Sequence, residues 1–72
     1  MTEQEFLEEF VTAIDPSEPD VINIDTELNS IPEWDSLAVL GVIVLFETIF
    51  DKKITGEAIG NKKLVRDIYA MI

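Results

Sequence analysis

Apolar residues recur at helical spacing near the start of the chain, where Phe6, Leu7, Phe10, Val11 and Ile14 follow Thr2 and Glu5, a pair spaced as in a capping box. This pattern predicts an amphipathic helix. It ends at Asp15-Pro16-Ser17-Glu18-Pro19-Asp20, because proline disfavours helical geometry in the residue before it and lacks the amide N–H that would continue the hydrogen-bond ladder. From Val21 to Asp35 no period holds, yet Val21, Ile22, Ile24, Leu28, Ile31 and Trp34 dot the segment. A connection of this length in a small protein is expected to be functional or to pack its own side chains, and these apolar residues predict that it packs.

The run from Leu37 to Asp51 is apolar almost throughout and includes Val39, Val42, Ile43 and Val44, so a buried strand competes with a helix. Length favours the helix, while Gly41 counts mildly against it, by about 1 kcal/mol relative to alanine. Projected as a helix with Ser36 as origin and about 100° per residue, the run separates into two faces. Ala38, Val39, Val42, Leu45, Phe46, Ile49 and Phe50 form a core stripe. Leu37, Leu40 and Val44 fall on the side of Ser36 with Glu47 and Asp51, a candidate docking face that steers by charge and holds by burial. The competing reading buries this helix on most sides under the long connection. Thr55 to Gly60 fits a short helix or a single turn, and Lys62 to Ile72 places Leu64, Val65, Ile68, Tyr69 and Ile72 on one face of a last helix. The pattern predicts an all-α fold: a small four-helix bundle, three longer helices and one short, with a long first loop.

The length of 72 residues implies one domain, spanning 1–72, near the lower limit for a chain that folds unaided. There is no cysteine and no histidine, which excludes a disulfide scaffold, a zinc site of the usual ligands, a thiol nucleophile and an imidazole base. No constellation of catalytic residues or metal ligands takes their place, so the chain reads as a non-enzyme. Fifteen acids against five bases give a net charge of −10, which disfavours nucleic acid and anionic membrane as partners. All five bases (Lys52, Lys53, Lys62, Lys63 and Arg66) follow residue 51, so residues 1–51 carry thirteen acids and no base. Such a block either attracts a positively charged protein surface or serves as a solvated face. Met1 to Phe10 lacks the basic region and apolar run of a secretory signal. The longest apolar stretch, Leu37 to Phe46, is ten residues, against the roughly 20 that span a bilayer. A cytoplasmic monomer without membrane insertion is expected.

Asp35 and Ser36 are ordinary helix starters. A serine N-cap is worth about 1 kcal/mol over alanine, and an acid near a helix N-terminus interacts favourably with the macrodipole. A serine in that place is also accessible and lies among backbone N–H groups suited to a phosphate.

The segment Ile31-Pro32-Glu33-Trp34-Asp35-Ser36-Leu37 resembles the modification site of acyl carrier proteins, in which an Asp-Ser-Leu triplet opens the second helix. The order of helix, long apolar-dotted loop, helix, short helix and helix is similar to that family's four-helix bundle across nearly the whole chain. The resemblance implies that Ser36 receives 4′-phosphopantetheine from coenzyme A on a separate phosphopantetheinyl transferase, which supplies the metal and the base. It implies further that Asp35 contacts the transferase or its magnesium. The arm would hold acyl intermediates as thioesters and deliver them to acyl-loading and acyl-processing enzymes with basic or apolar docking surfaces. The family's second helix commonly carries several acids, whereas this one offers only Glu47 and Asp51 after the triplet, which points to a specialised fatty-acid, polyketide or related pathway. Phe46, Ile49, Phe50 and Ile68 either shelter part of an acyl chain or are plain core. A reading from another class is a small helical interaction module that uses Leu37, Leu40 and Val44 without any prosthetic group.

Overall fold

Thr2 and Glu5 close the expected capping box: the Thr2 N–H donates to Glu5 Oε1 at 2.9 Å, and the Glu5 N–H donates to Thr2 Oγ1 at 3.2 Å. Helix α1 follows as Glu3–Ile14 in this computed structural model, which describes residues Met1–Ile72. It stops where Asp15 turns left-handed (φ 48°, ψ 58°), a conformation that aspartate tolerates better than most residues, and the Asp15 N–H donates back to Val11 O at 2.8 Å.

The connection to the next helix packs as expected. Two single 3-10 turns, Pro19–Val21 and Leu28–Ser30, fold it against the core. Ile22, Leu28 and Ile31 are buried, and Ile24 and Trp34 are partly so. Val21 is the exception, 63% exposed at the end of the first turn.

Helix α2, Ser36–Ile49, resolves the ambiguity between helix and strand in favour of the helix. Its glycine has a packing cause. A Cβ built on Gly41 would lie 2.7 Å from the carbonyl oxygen of Ala13, so the absent side chain is what lets α1 and α2 approach each other there. Gly41→Ala is therefore expected to destabilise the protein. Overpacking against rigid backbone costs about 1–3 kcal/mol, which outweighs the gain in helix propensity of about 1 kcal/mol. Urea unfolding checks the sign, and an alanine variant more stable than wild type would show that the two helices separate freely.

Helix α3, Gly56–Gly60, is the short element, capped by Thr55, whose Oγ1 accepts from the Ala58 N–H at 3.1 Å. Helix α4 runs only from Val65 to Tyr69, so the bundle has two long and two short helices instead of three and one. The late start has a cause outside local pattern. Residues just before α4 are drawn into an antiparallel bridge with the long connection, Glu27 opposite Leu64. The Leu28 N–H donates to Lys63 O at 2.8 Å, the Val65 N–H to Thr26 O at 3.0 Å and the Arg66 N–H to Ile24 O at 2.8 Å. The Arg66 guanidinium also pairs with the Asp25 carboxylate. Val65 and Ile68 enter the core as expected, whereas Ile72, beyond the helix, is exposed.

The hydrophobic core draws on all four helices and the connection. Phe6, Phe10, Leu28, Val42, Phe46, Ile59, Val65 and Ile68 are completely buried, and no polar residue is buried among them. Aromatic contacts tie the layers together, with ring centroids 5.7 Å apart for Phe6 and Phe10, 5.2 Å for Phe6 and Tyr69, and 5.0 Å for Phe46 and Phe50. No helix is long and apolar enough to cross a membrane.

Two carboxylates, exposed Glu5 and half-buried Asp67, hold helix starts. Asp67 Oδ2 accepts from the Leu64 N–H at 3.0 Å and the Lys63 N–H at 3.3 Å, and the Leu64 bond above all holds its carboxyl below the ordinary 3.8. The bonds to Thr2 likewise hold Glu5 below 4.5. A group with a lowered folded pKa stabilises the fold fully above its unfolded value, and that stability disappears as pH falls through the lowered one. Asp67→Ala is accordingly expected to flatten the acid limb of the stability profile below about pH 4. Melting curves taken across that range check this, and parallel profiles for the two proteins would rule Asp67 out as a contributor.

Candidate functional site

The segment that leads into α2 is fixed from both sides. Trp34 is partly buried with its ring 6.1 Å from that of Phe10, so α1 anchors the residue immediately before Asp35. The Trp34 N–H closes a turn onto Ile31 O at 3.0 Å. One residue earlier, Glu33 Oε2 accepts from the Ser17 hydroxyl at 2.8 Å, which ties the two ends of the long connection together. That hydroxyl is the main reason the Glu33 carboxyl lies below its ordinary value, against the opposing effect of desolvation.

Asp35, not Ser36, is the N-cap. Its backbone is extended (φ −137°, ψ −168°), and its Oδ1 accepts from the Leu37 N–H at 3.0 Å and the Ala38 N–H at 3.1 Å. Ser36 is the first residue of the helix, exposed, and its hydroxyl makes no hydrogen bond within the protein. Two backbone donors that a phosphate at this terminus would otherwise meet are thus already engaged by Asp35. What the site offers chemically is a free primary alcohol beside a carboxylate whose second oxygen, Oδ2, accepts no hydrogen bond.

The docking face predicted from the helical projection is exposed. Leu37 is 77% exposed, Leu40 55% and Val44 49%, and Glu47 and Asp51 are exposed beyond them. The long connection does not cover this side. Ile49, which the projection assigns to the core stripe, is also 49% exposed. A projection fixes the angle of a residue about its helix but not whether anything lies opposite at that height, and Ile49 ends the helix. It borders a groove of about 450 Å3 between α1 and α2 that Leu37, Leu40 and Val44 also line, with Glu9, Thr12 and Ala13 on the α1 side. Phe46 and Ile68 are completely buried, as plain core residues are, and Phe50 packs partly against them.

No family model matches the chain, and no curated protein and no solved structure matches it either. The site therefore stands on its own residues. Sequence reasoning missed the bond between Ser17 and Glu33 and the contribution of α1 to the groove. The one available signal for the latter was Gly41 in an otherwise bulky helix.

Proposed function

We propose that this chain is an acyl carrier protein that presents Ser36 for attachment of 4′-phosphopantetheine. The observation that carries the reading is the state of Ser36: exposed, free of hydrogen bonds, and relieved of capping by Asp35, in a segment that resembles the family's modification site. A serine whose only task was to cap would use its oxygen on the helix, and this one does not.

In the attachment step Ser36 Oγ forms a phosphoester bond as the pyrophosphate bond of coenzyme A breaks. Adenosine bisphosphate leaves, and the hydroxyl proton passes to a base on the transferase. Asp35 Oδ2 offers an oxygen to the transferase or its magnesium while Oδ1 keeps the helix capped. When bound, the arm supplies a terminal thiol that holds an acyl group as a thioester, and tethering raises the local concentration of that group at a partner's active site. The thirteen acids of residues 1–51 favour partners with basic surfaces, and the exposed leucines and valine of α2 favour partners with apolar ones. A specialised fatty-acid, polyketide or related pathway suits this apolar balance.

The direct test is incubation with coenzyme A and a broad-specificity phosphopantetheinyl transferase, followed by intact-mass measurement. A single phosphopantetheinyl adduct is expected, with one titratable thiol in a chain that has no cysteine of its own. An unchanged mass would refute the reading. For docking, Leu40→Glu is expected to weaken modification by the transferase at least about fivefold in kcat/KM, roughly the effect of losing 1 kcal/mol, with an unchanged helical signal. The exposed apolar groove also favours a second reading, an interaction module without an arm; that reading gains if no adduct forms while Leu40→Glu still abolishes capture of a partner.

A further inference from the structure

The residues that lead into Ser36 are pinned in succession, each to a different partner. Ile31 is buried in the core, and its carbonyl oxygen accepts from the Trp34 N–H at 3.0 Å. The Trp34 ring lies 6.1 Å from that of Phe10 in α1, and Asp35 caps α2 through Oδ1. Glu33 is half-buried, and its Oε2 accepts from the Ser17 hydroxyl at 2.8 Å, across 16 positions of the chain. Ser17 is a fixed post, because Pro16 before it is buried and a proline ring holds its own φ at about −65°. The Asp35 carboxylate repels that of Glu33, so the Ser17 hydroxyl holds Glu33 in place against a like charge. Only the Ser36 hydroxyl, at the end of this series, is left without a partner.

One contact leaves a segment free to swivel about it, whereas contacts at two adjacent residues also fix its rotation. Trp34 on Phe10 supplies the first and Glu33 on Ser17 the second. We propose that Ser17 and Glu33 are a positioning pair that sets the direction in which α2 presents the Ser36 hydroxyl, an inference that rests on the carrier reading above. Neither side chain touches the reacting atoms. Both lie outside the groove lined by Leu37, Leu40 and Val44, so a change in the pair leaves that docking face intact. Without the bond, Glu33 swings away from Asp35 and the segment turns about Trp34. The transferase then binds as before and meets an aligned Ser36 Oγ less often, which lowers kcat and spares KM.

Steady-state modification with coenzyme A and a broad-specificity phosphopantetheinyl transferase tests this, at a temperature where circular dichroism shows each variant folded. Ser17→Ala is expected to lower kcat at least about fivefold with KM within about twofold of wild type. Ser17→Thr keeps the hydroxyl and Glu33→Gln keeps an acceptor oxygen, so both should stay within about twofold of wild type in kcat. Glu33→Ala should match Ser17→Ala, and the double variant should be no slower than either. A purely structural bond would lower Tm and leave kcat of the folded protein unmoved. If Ser17→Ala does not fold, Ser17→Val, with the shape of the threonine variant and no hydroxyl, replaces it. The pair is overturned, and the carrier reading stands, if the variants without the hydroxyl are modified at the wild-type rate or if the two single losses multiply in the double variant. The same follows if Glu33→Gln is as slow as Glu33→Ala, since the transferase would then be reading the charge. If wild type itself takes no adduct, the carrier reading falls and the role of the pair falls with it.

Discussion

Ser36→Ala is expected to abolish addition of the phosphopantetheine arm completely while leaving the stability of the unmodified protein within about 0.5 kcal/mol of wild type, as for an exposed residue without partners. The contrast with its neighbour makes this informative. Asp35 makes both capping bonds of α2, to the Leu37 and Ala38 N–H groups, so Asp35→Ala should cost about 0.5–2 kcal/mol. In a domain of this length each kcal/mol lowers Tm by about 4–8 °C. Chemistry and capping therefore reside on adjacent residues and can be separated. Asp35→Asn completes the series, since asparagine caps about as well as aspartate but carries no charge. An asparagine variant that melts like wild type and is modified slowly would assign the carboxylate charge to the transferase contact. The outcome that would sink this division is a several-degree fall in Tm for Ser36→Ala, or an adduct that survives it.

Much of this architecture was legible along the chain, and what was not has identifiable causes. The start of α1, the packing of the long connection and the short α3 all follow from local signals: the capping pair Thr2 and Glu5, the apolar residues of the connection, and the threonine at position 55. The exposure of Leu37, Leu40 and Val44 followed from angle alone. The choice of Asp35 over Ser36 as the cap turns on a one-residue boundary between two good capping residues, which composition cannot resolve. The shortening of α4 is set by hydrogen bonds to Ile24, Thr26 and Leu28, far away in sequence. Ile49 has the right angle for the core and no cover at its end of the helix, and the two ends of the connection are tied by a bond between Ser17 and Glu33 that no local pattern foreshadows. Periodicity reports what a segment turns toward; it does not report what arrives there from elsewhere.

Phe10→Ala is expected to leave the protein largely unfolded at 25 °C. Phe10 is completely buried and packs its ring against those of Phe6 and Trp34, at 5.7 and 6.1 Å. Truncating a buried phenylalanine costs about 3–5 kcal/mol, from lost burial and from the cavity left behind. A domain of this size rarely has more than about 3–5 kcal/mol in all, and here no disulfide adds to it. Phe10→Leu keeps most of the volume and should remain folded, at a cost of about 1 kcal/mol. Circular dichroism during urea titration distinguishes the variants. A cooperative transition for Phe10→Ala close to the wild-type midpoint would mean that the core can collapse around the deletion. Because the ring that is lost also holds Trp34, the residue before the Asp35-Ser36 pair, the leucine variant carries a second expectation. It should be modified more slowly than wild type even where it is fully folded, since the segment that presents Ser36 is positioned by that contact. Equal modification rates in the two folded proteins would show that the transferase orders the segment for itself.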